Sequence, residues 1–127
     1  MNDSRRVLVV DDEQDILDLL TIWLEDDARC AAVETAADMP SAFEAVEQAA
    51  PDAIVLDLNL GSEKSVARLP ELRARCPESR IIVYTASPQA AHMLDVTGHG
   101  ADTVVCKGSV PVDEVVDLVL RDVPIAV

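Results

Sequence analysis

Residues 7–13 read VLVVDDE, four aliphatic residues followed at once by three acidic ones. A short unbroken aliphatic run such as residues 7–10 is typical of a strand that helices cover on both faces. Asp11, Asp12 and Glu13 then lie in the loop at the carboxyl end of that strand. Ligands of open parallel sheets bind at this end of the strands, so the loop is a candidate functional site.

Strands and helices alternate along the rest of the chain. Further aliphatic or β-branched runs predict strands at residues 31–35, Ala53–Leu56, 81–84 and Thr103–Cys106, the first of them the weakest. Helical spacing predicts a first helix that buries Ile16, Leu19, Leu20, Trp23 and Leu24. It predicts a last helix that buries Val112, Val115, Val116, Val119 and Leu120. Shorter helices are expected over residues 40–49, Leu69–Arg75 and 89–96.

The alternation predicts the fold class. Short buried strands separated by helices pair in parallel through right-handed crossovers. We therefore expect an α/β fold, a (βα)5 doubly wound sheet of five parallel strands. The chain has 127 residues, enough for one hydrophobic core. We expect a single domain over residues 1–127, with its core at about 5–122 and a tail at 123–127.

Composition excludes several classes of protein. The formal charge is −14, from 24 acidic and 10 basic residues, and no basic cluster could neutralise a row of phosphates. Direct binding to nucleic acid or to an anionic membrane is therefore not expected. The three cysteines are odd in number and lack C-x-x-C spacing, which favours reduced thiols. No apolar run approaches the ~20 residues of a membrane span, so we expect a cytoplasmic protein.

Reactive side chains also follow the later strands. Asp57 follows the third strand, Thr85 the fourth and Lys107 the fifth. The topology brings them to Asp11 and Asp12 at one edge of the sheet, where carboxylates 4 Å apart repel by roughly 1–4 kcal/mol per pair. A divalent cation relieves this repulsion, and oxygen ligands favour Mg²⁺. Such a site suits phosphoryl transfer, with Asp57 as the nucleophile, Lys107 offsetting charge and Thr85 donating a hydrogen bond.

Four motifs resemble the receiver domains of bacterial two-component response regulators, and they occur in that family's order. They are VLVVDDE, VLDLN at residues 55–59, YTAS at 84–87 and GADTVVCK at 100–107. The resemblance covers nearly the whole chain and implies a flavodoxin-like receiver fold. The roles that it implies are phosphoacceptor and Mg²⁺ ligand for Asp57, direct Mg²⁺ ligand for Asp12, Mg²⁺ ligand through water for Asp11, Mg²⁺ ligand through its backbone carbonyl for Asn59, switch hydroxyl for Thr85 and phosphate-binding cation for Lys107.

The resemblance also implies a mode of action. A receiver of this kind is a signalling switch and not an enzyme, since it catalyses only its own phosphorylation and dephosphorylation. A histidine kinase or a histidine phosphotransfer protein would supply the phosphoryl group in a two-component phosphorelay. The output would pass through protein–protein contacts to an unknown downstream protein, and a homodimer is compatible with this scheme.

Three positions depart from the family pattern. Val104 stands where the family usually has an aromatic residue that reports phosphorylation, and Gly108 stands where a proline usually follows the lysine. Pro70 falls where the third helix would already run, which predicts a late helix start at Leu69 or Pro70, or a kink. These departures leave open a pseudo-receiver that acts as a constitutive protein-binding or dimerisation module. A phosphatase of the haloacid dehalogenase type is a weaker third interpretation, because it needs a second aspartate where Asn59 stands.

Overall fold

The computed structural model describes residues 4–60, 63–86 and 98–122. Its strands are β1 (Arg5–Val10), β2 (Cys30–Ala36), β3 (Ala53–Leu56), β4 (Asn59–Leu60), β5 (Glu63–Lys64), β6 (Arg80–Thr85) and β7 (Thr103–Cys106). Its helices are α1 (Gln14–Glu25), α2 (Met39–Gln48), α3 (Leu69–Arg75) and α4 (Val112–Leu120), and a short 3₁₀ helix spans Ser65–Arg68. Five of the strands form one parallel sheet in the order β2-β1-β3-β6-β7. The predicted doubly wound sheet of five parallel strands is confirmed.

Strand β2 lies at one edge of this sheet and is more exposed than β7, the strand at the other edge. The exposed residues of β2 are Ala31, Ala32, Glu34 and Thr35. An edge strand is covered less completely than a central strand, so it needs no continuous apolar run. This explains why its sequence pattern is the weakest of the five.

Alternate residues of the central strands point to opposite faces of the sheet and build two cores. On one face, Leu8, Ile54 and Ile81 belong to the core that includes residues of α2 and α3. On the other face, Val9 and Val55 belong to the core that includes residues of α1 and α4. Packing on both faces holds the strands firmly and therefore fixes where their loops emerge.

Helix α1 faces the sheet with a stripe that keeps the predicted Leu20 and Leu24 but differs from the prediction at Leu17 and Trp23. Leu17, Leu20 and Leu24 are buried, whereas Trp23 is 44% exposed. The prediction that Trp23 fills the core is wrong, and it omits Leu17. Apolar residues occur on most sides of this helix, so spacing alone fits two neighbouring stripes. Packing against β2 and α4 selects the stripe through Leu17.

Helix α4 matches its predicted stripe. Val115, Val116, Val119 and Leu120 are buried, and Val112 is half-buried. These residues recur at i, i+1, i+4 and i+5, which keeps them on one side of a helix with 3.6 residues per turn. The helix therefore covers the same face of the sheet as α1.

The segment between β3 and α3 contains a small hairpin that the sequence does not predict. Strands β4 and β5 pair in antiparallel fashion, with Asn59 opposite Lys64. Helix α3 then begins at Leu69 with Pro70 in its first turn, where the missing N–H costs no helical hydrogen bond. The predicted late start of this helix is confirmed.

Some predictions concern parts of the chain that are not described. The helix over residues 89–96 and the tail at 123–127 lie outside the described residues. Within the described ranges, no helix is both long enough and apolar enough to cross a membrane. Cys76 is buried, and Cys30 and Cys106 are half-buried, each as a free cysteine.

Candidate functional site at the carboxyl edge of the sheet

The loops after β1, β3 and β7 meet at the carboxyl edge of the sheet. Backbone hydrogen bonds extend the strand ladders by one residue, from Asp11 N to the Ala36 carbonyl (3.0 Å), from Asp57 N to the Val10 carbonyl (2.9 Å) and from Lys107 N to the Thr85 carbonyl (2.8 Å). Each of the three side chains therefore starts from backbone that the sheet holds in place.

Asp11, Asp12 and Asp57 form one carboxylate cluster. One carboxylate oxygen of each residue lies within 4.8 Å of those of the others. Asp11 and Asp57 are buried, and Asp12 is exposed. The backbone N–H of Glu13 donates to Asp11 Oδ1 at 2.9 Å, and that of Asn59 donates to Asp57 Oδ1 at 3.2 Å. Backbone amides thus fix one oxygen of each buried carboxylate.

Lys107 is the cation of this cluster. Its Nζ lies 2.7 Å from Asp11 Oδ2, 3.1 Å from Asp57 Oδ2 and 3.3 Å from Glu13 Oε1. Burial alone would lower the pKa of this lysine, but hydrogen bonds to Asp11 and Asp57 outweigh burial and raise the pKa above its usual range. Lys107 therefore keeps its positive charge well above neutral pH.

The pKa of Asp11 is also raised, chiefly because burial disfavours the charged carboxylate. Hydrogen bonds from Lys107 and Glu13 lower this pKa, and the neighbouring charge of Asp57 raises it, without reversing the effect of burial. Burial is the largest influence on the pKa of both groups, and hydrogen bonds outweigh it at Lys107 but not at Asp11. Negative charge remains crowded at this edge.

The oxygen donors at this edge fit a hard divalent cation such as Mg²⁺. Carboxylates and backbone carbonyls are its usual protein ligands, and several waters complete the shell. Asp12 is exposed, so the cluster is open to solvent on one side, while Asp11 and Asp57 are its buried members. Asn59 brings its backbone to the same cluster through its amide contact with Asp57.

Thr85 lies at the same edge as the carboxylates. It ends β6 and is 1% exposed. In the sheet it pairs with Cys106, the residue before Lys107. The structure therefore brings together all six residues that the sequence predicts for the site: Asp11, Asp12, Asp57, Asn59, Thr85 and Lys107.

Two further residues lie at the site without having been predicted there. The hydroxyl of Ser65 donates to the Asp57 carbonyl at 2.6 Å, and Lys107 Nζ lies 5.9 Å from the centroid of the Tyr84 ring. No motif marks Ser65, whereas Tyr84 begins the YTAS motif but was given no role there. Glu13, which contacts Lys107, had a visible signal as the third acidic residue of VLVVDDE.

The structure also accounts for two departures from the receiver pattern. Val104 pairs with Val83 in the sheet and packs, half-buried, against the core on the α2 and α3 face. Gly108 has φ of +83°, a conformation that glycine adopts without steric cost. A proline, with φ near −65°, does not fit this backbone. Glycine therefore follows Lys107 for a conformational reason.

Comparisons with known proteins identify the family. The sequence model of the family described as the response regulator receiver domain matches residues 7–123. The alginate biosynthesis transcriptional regulatory protein AlgB of Pseudomonas aeruginosa is 31% identical over 106 residues, which cover 84% of this chain and 23% of AlgB. A protein-glutamate methylesterase/protein-glutamine glutaminase of Maricaulis maris is 33% identical over 78 residues, 61% of this chain and 20% of that protein. The chain thus spans only 20–23% of the length of these two relatives.

Solved structures agree with this assignment. A crystal structure of a response regulator protein from Burkholderia pseudomallei, with a phosphorylated aspartic acid, calcium ion and citrate, has a TM-score of 0.83 and 25% identity to this chain. The alignment covers 94% of this chain and 68% of that one. Together, the family match over residues 7–123 and this shared fold show that the chain belongs to the response regulator receiver domains of two-component signalling.

Proposed function

We propose that this receiver domain accepts a phosphoryl group on Asp57 in a Mg²⁺-dependent reaction and signals through protein–protein contacts. The proposal is carried by one observation, the cluster in which Asp57 lies beside Asp11, Asp12 and Lys107 at the carboxyl edge. A histidine kinase or a histidine phosphotransfer protein is the proposed donor. Residues 1–127 would act as a single domain in this exchange.

In the proposed reaction, a carboxylate oxygen of Asp57 attacks the phosphorus of the donor. An oxygen–phosphorus bond forms at Asp57, and the bond between phosphorus and the donor's leaving atom breaks. The leaving atom keeps the electron pair; in phosphohistidine it is an imidazole nitrogen. The product is an acyl phosphate. A carboxylate nucleophile has no proton to lose, so catalysis depends on positioning and on charge offset.

The neighbouring residues supply that positioning and charge. The ammonium of Lys107 already lies 3.1 Å from Asp57 Oδ2, so it holds the nucleophile before the reaction and offsets phosphoryl charge afterwards. The hydroxyl of Thr85 would donate to a phosphoryl oxygen. Mg²⁺, when bound, would neutralise charge on the transferred group. Its proposed ligands are Asp12, Asp57, the backbone carbonyl of Asn59 and, through water, Asp11.

The readout must differ from the aromatic rotation that is usual in the family. Val104 is an aliphatic residue packed against the core, and it has no ring to rotate. We therefore assign the readout to Thr85, which would move toward the phosphoryl group and change the surface at the end of β6. The altered surface would bind a downstream protein or, in a homodimer, a second copy of the chain.

Intact-mass spectrometry after incubation with acetyl phosphate and Mg²⁺ tests the proposal. Wild type is expected to gain the mass of one phosphoryl group, and neither Asp57→Asn nor wild type in EDTA is expected to gain it. Asp52→Asn is the matched control. Asp52 directly precedes β3, at the amino-terminal end of the strand that Asp57 follows, and it accepts a hydrogen bond from Arg6 N at 2.8 Å. It should behave as wild type.

Two results would reject the assignment. Uptake that survives in Asp57→Asn would move the site to another residue. No uptake by wild type from acetyl phosphate or from a histidine-phosphorylated donor would favour the pseudo-receiver instead.

A further inference from the structure

Ser65 holds the backbone that carries the proposed phosphoacceptor. It is fully buried. Its Oγ donates to the Asp57 carbonyl at 2.6 Å, and its backbone N–H donates to the Leu58 carbonyl at 2.9 Å. A single residue therefore binds two consecutive carbonyls of the loop after β3.

These two hydrogen bonds restrict the chain from Asp57 to Asn59. Each peptide group is planar, so fixing the carbonyls of Asp57 and Leu58 orients both peptide planes that lie between Asp57 and Asn59. At the end of this stretch, the Asn59 N–H donates to Asp57 Oδ1. The carboxylate of Asp57 and the backbone of Asn59 are thus tied to the same support.

The unpredicted hairpin explains how Ser65 reaches this position. Strands β4 and β5 turn the chain back on itself, so that a residue eight positions after Asp57 returns to its carbonyl. Without the hydroxyl of Ser65, the Asp57 carbonyl would lose this partner in a buried setting, which folded proteins rarely tolerate. A buried hydroxyl at this position therefore has a specific task.

We propose that Ser65 is a positioning residue for the phosphorylation site. Its hydroxyl orients Asp57 and Asn59 so that the carboxylate and the Asn59 carbonyl present oxygen atoms to the same cation. The inference rests on the proposed Mg²⁺-dependent phosphorylation of Asp57. Ser65 acts through the backbone and does not touch the transferred group.

Ser79 offers a matched control within the same chain. It is also buried, and its Oγ donates to a backbone carbonyl, that of Pro51, at 2.6 Å. This bond lies at the amino-terminal edge of the sheet, at the opposite end from Asp57. Ser65→Ala and Ser79→Ala remove the same kind of hydrogen bond, so a general loss of stability would affect both alike.

The experiment compares wild type with Ser65→Ala and Ser79→Ala. Calorimetric titration measures Mg²⁺ affinity, and phosphoryl uptake from acetyl phosphate is followed over a range of Mg²⁺ concentrations. Ser65→Ala is expected to bind Mg²⁺ about 10-fold more weakly, as is typical when a group that orients metal ligands is lost. The Mg²⁺ concentration for half-maximal uptake should rise by the same factor. Ser79→Ala is expected to match wild type in both measurements.

The outcomes separate this inference from the proposed function. Unchanged Mg²⁺ affinity in Ser65→Ala, or an equal loss in both variants, would overturn the role of Ser65 even if Asp57 is phosphorylated. Absence of uptake by wild type would reject the proposed function, while the Mg²⁺ titration would still test Ser65. If Ser65→Ala does not fold, Ser65→Cys replaces it. Its thiol is a weaker donor, so Mg²⁺ binding should be weaker than in wild type, and equal binding would overturn the inference.

Discussion

Lys107 lies closer to Asp11 than to the proposed phosphoacceptor, since its Nζ is 2.7 Å from Asp11 Oδ2 and 3.1 Å from Asp57 Oδ2. The two carboxylates follow different strands, β1 and β3, and the lysine follows β7. One ammonium thus joins three strand ends while it offsets the charge of the site. Stability and cation binding should therefore depend on each other at this edge.

Lys107→Met is expected to lower the free energy of unfolding in metal-free buffer by roughly 3 kcal/mol, because the buried carboxylates lose their cation. Saturating Mg²⁺ is expected to stabilise this variant more than wild type, since the metal no longer competes with the ammonium. Urea denaturation with and without Mg²⁺ measures both effects.

Arg6→Met is the control for that comparison. Arg6 pairs with Glu34 at 2.9 Å, and both side chains are 47% exposed, so the loss should be below about 1 kcal/mol. Its Mg²⁺ response should equal that of wild type. If Mg²⁺ stabilises wild type, Lys107→Met and Arg6→Met equally, then Mg²⁺ and the Lys107 ammonium do not compete for the carboxylates.

Asp11 makes part of the stability depend on pH. Burial raises its pKa in the folded chain above the ordinary value of 3.8, so the folded state holds the proton more tightly than the unfolded state. By linkage, the protonated carboxyl of Asp11 adds to the free energy of unfolding. This contribution is fully present below pH 3.8 and is lost as pH rises through the raised pKa. Relative to wild type, Asp11→Asn should therefore gain stability as pH rises through that window. Urea denaturation in EDTA across pH checks this, and a difference that does not vary with pH would refute it.

Gly108→Pro would restore the residue that usually follows the lysine in this family, yet it is expected to destabilise this chain. Proline cannot adopt the φ of +83° found at Gly108. A hydrogen bond from Ser109 N to the Cys106 carbonyl, at 3.1 Å, holds the turn in this conformation. We expect a loss of about 1–3 kcal/mol or more in the free energy of unfolding. Phosphoryl uptake should slow because Lys107 is displaced.

Gly108→Ala is the milder comparison. A Cβ at this position would meet nothing within 4 Å, so the cost should be backbone strain alone, about 1–2 kcal/mol. Urea denaturation ranks the two variants. A proline variant as stable as wild type would show that the turn readily adopts another conformation.

Arg73 stabilises the amino-terminal end of the strands, opposite to the end that carries Asp57. Its guanidinium donates to the carbonyls of Cys76, Ser79 and Gly100 and pairs with Asp102 at 2.9 Å. Arg73→Lys keeps the charge but loses the planar fork, so the free energy of unfolding should fall by about 2 kcal/mol. The rate of phosphoryl uptake should not change, because the edge that carries Asp57 is untouched.

Arg75→Lys, on the same helix, is the control for Arg73. Arg75 pairs with Glu47 and Glu71 on the surface, so its replacement should cost less than about 1 kcal/mol. Equal losses in the two variants would contradict the assigned role of Arg73. A large fall in uptake for Arg73→Lys would show that the two edges are coupled.

Much of the fold could be predicted because central parallel strands are covered on both faces. Such strands need aliphatic runs: Ala53–Leu56 is found where its run predicts it, and the run at residues 81–84 lies within β6 (Arg80–Thr85). Of the two edge strands, β2 is more exposed than β7 and leaves the weaker signal. Helix α1 shows where spacing fails, since apolar residues on several sides allow one stripe through Trp23 and another through Leu17. Only contact with the rest of the fold chooses between them.

The membership of the site could be predicted for a similar reason. Residues that follow parallel strands meet at one edge, so Asp11, Asp57 and Lys107 could be placed together from their positions alone. Their distances could not, and the closer approach of Lys107 to Asp11 depends on side-chain packing. Ser65 reaches Asp57 only because of the β4–β5 hairpin between them. No sequence pattern predicts this hairpin.

The position of the phosphoryl group distinguishes Asp57 from the neighbouring carboxylates of Asp11 and Asp12. After incubation with acetyl phosphate and Mg²⁺, borohydride reduces an aspartyl phosphate to homoserine, and tandem mass spectrometry of the peptides locates the reduced residue. Homoserine is expected at position 57 alone. Homoserine at position 11 or 12, or a phosphorylated chain with none at position 57, would contradict it.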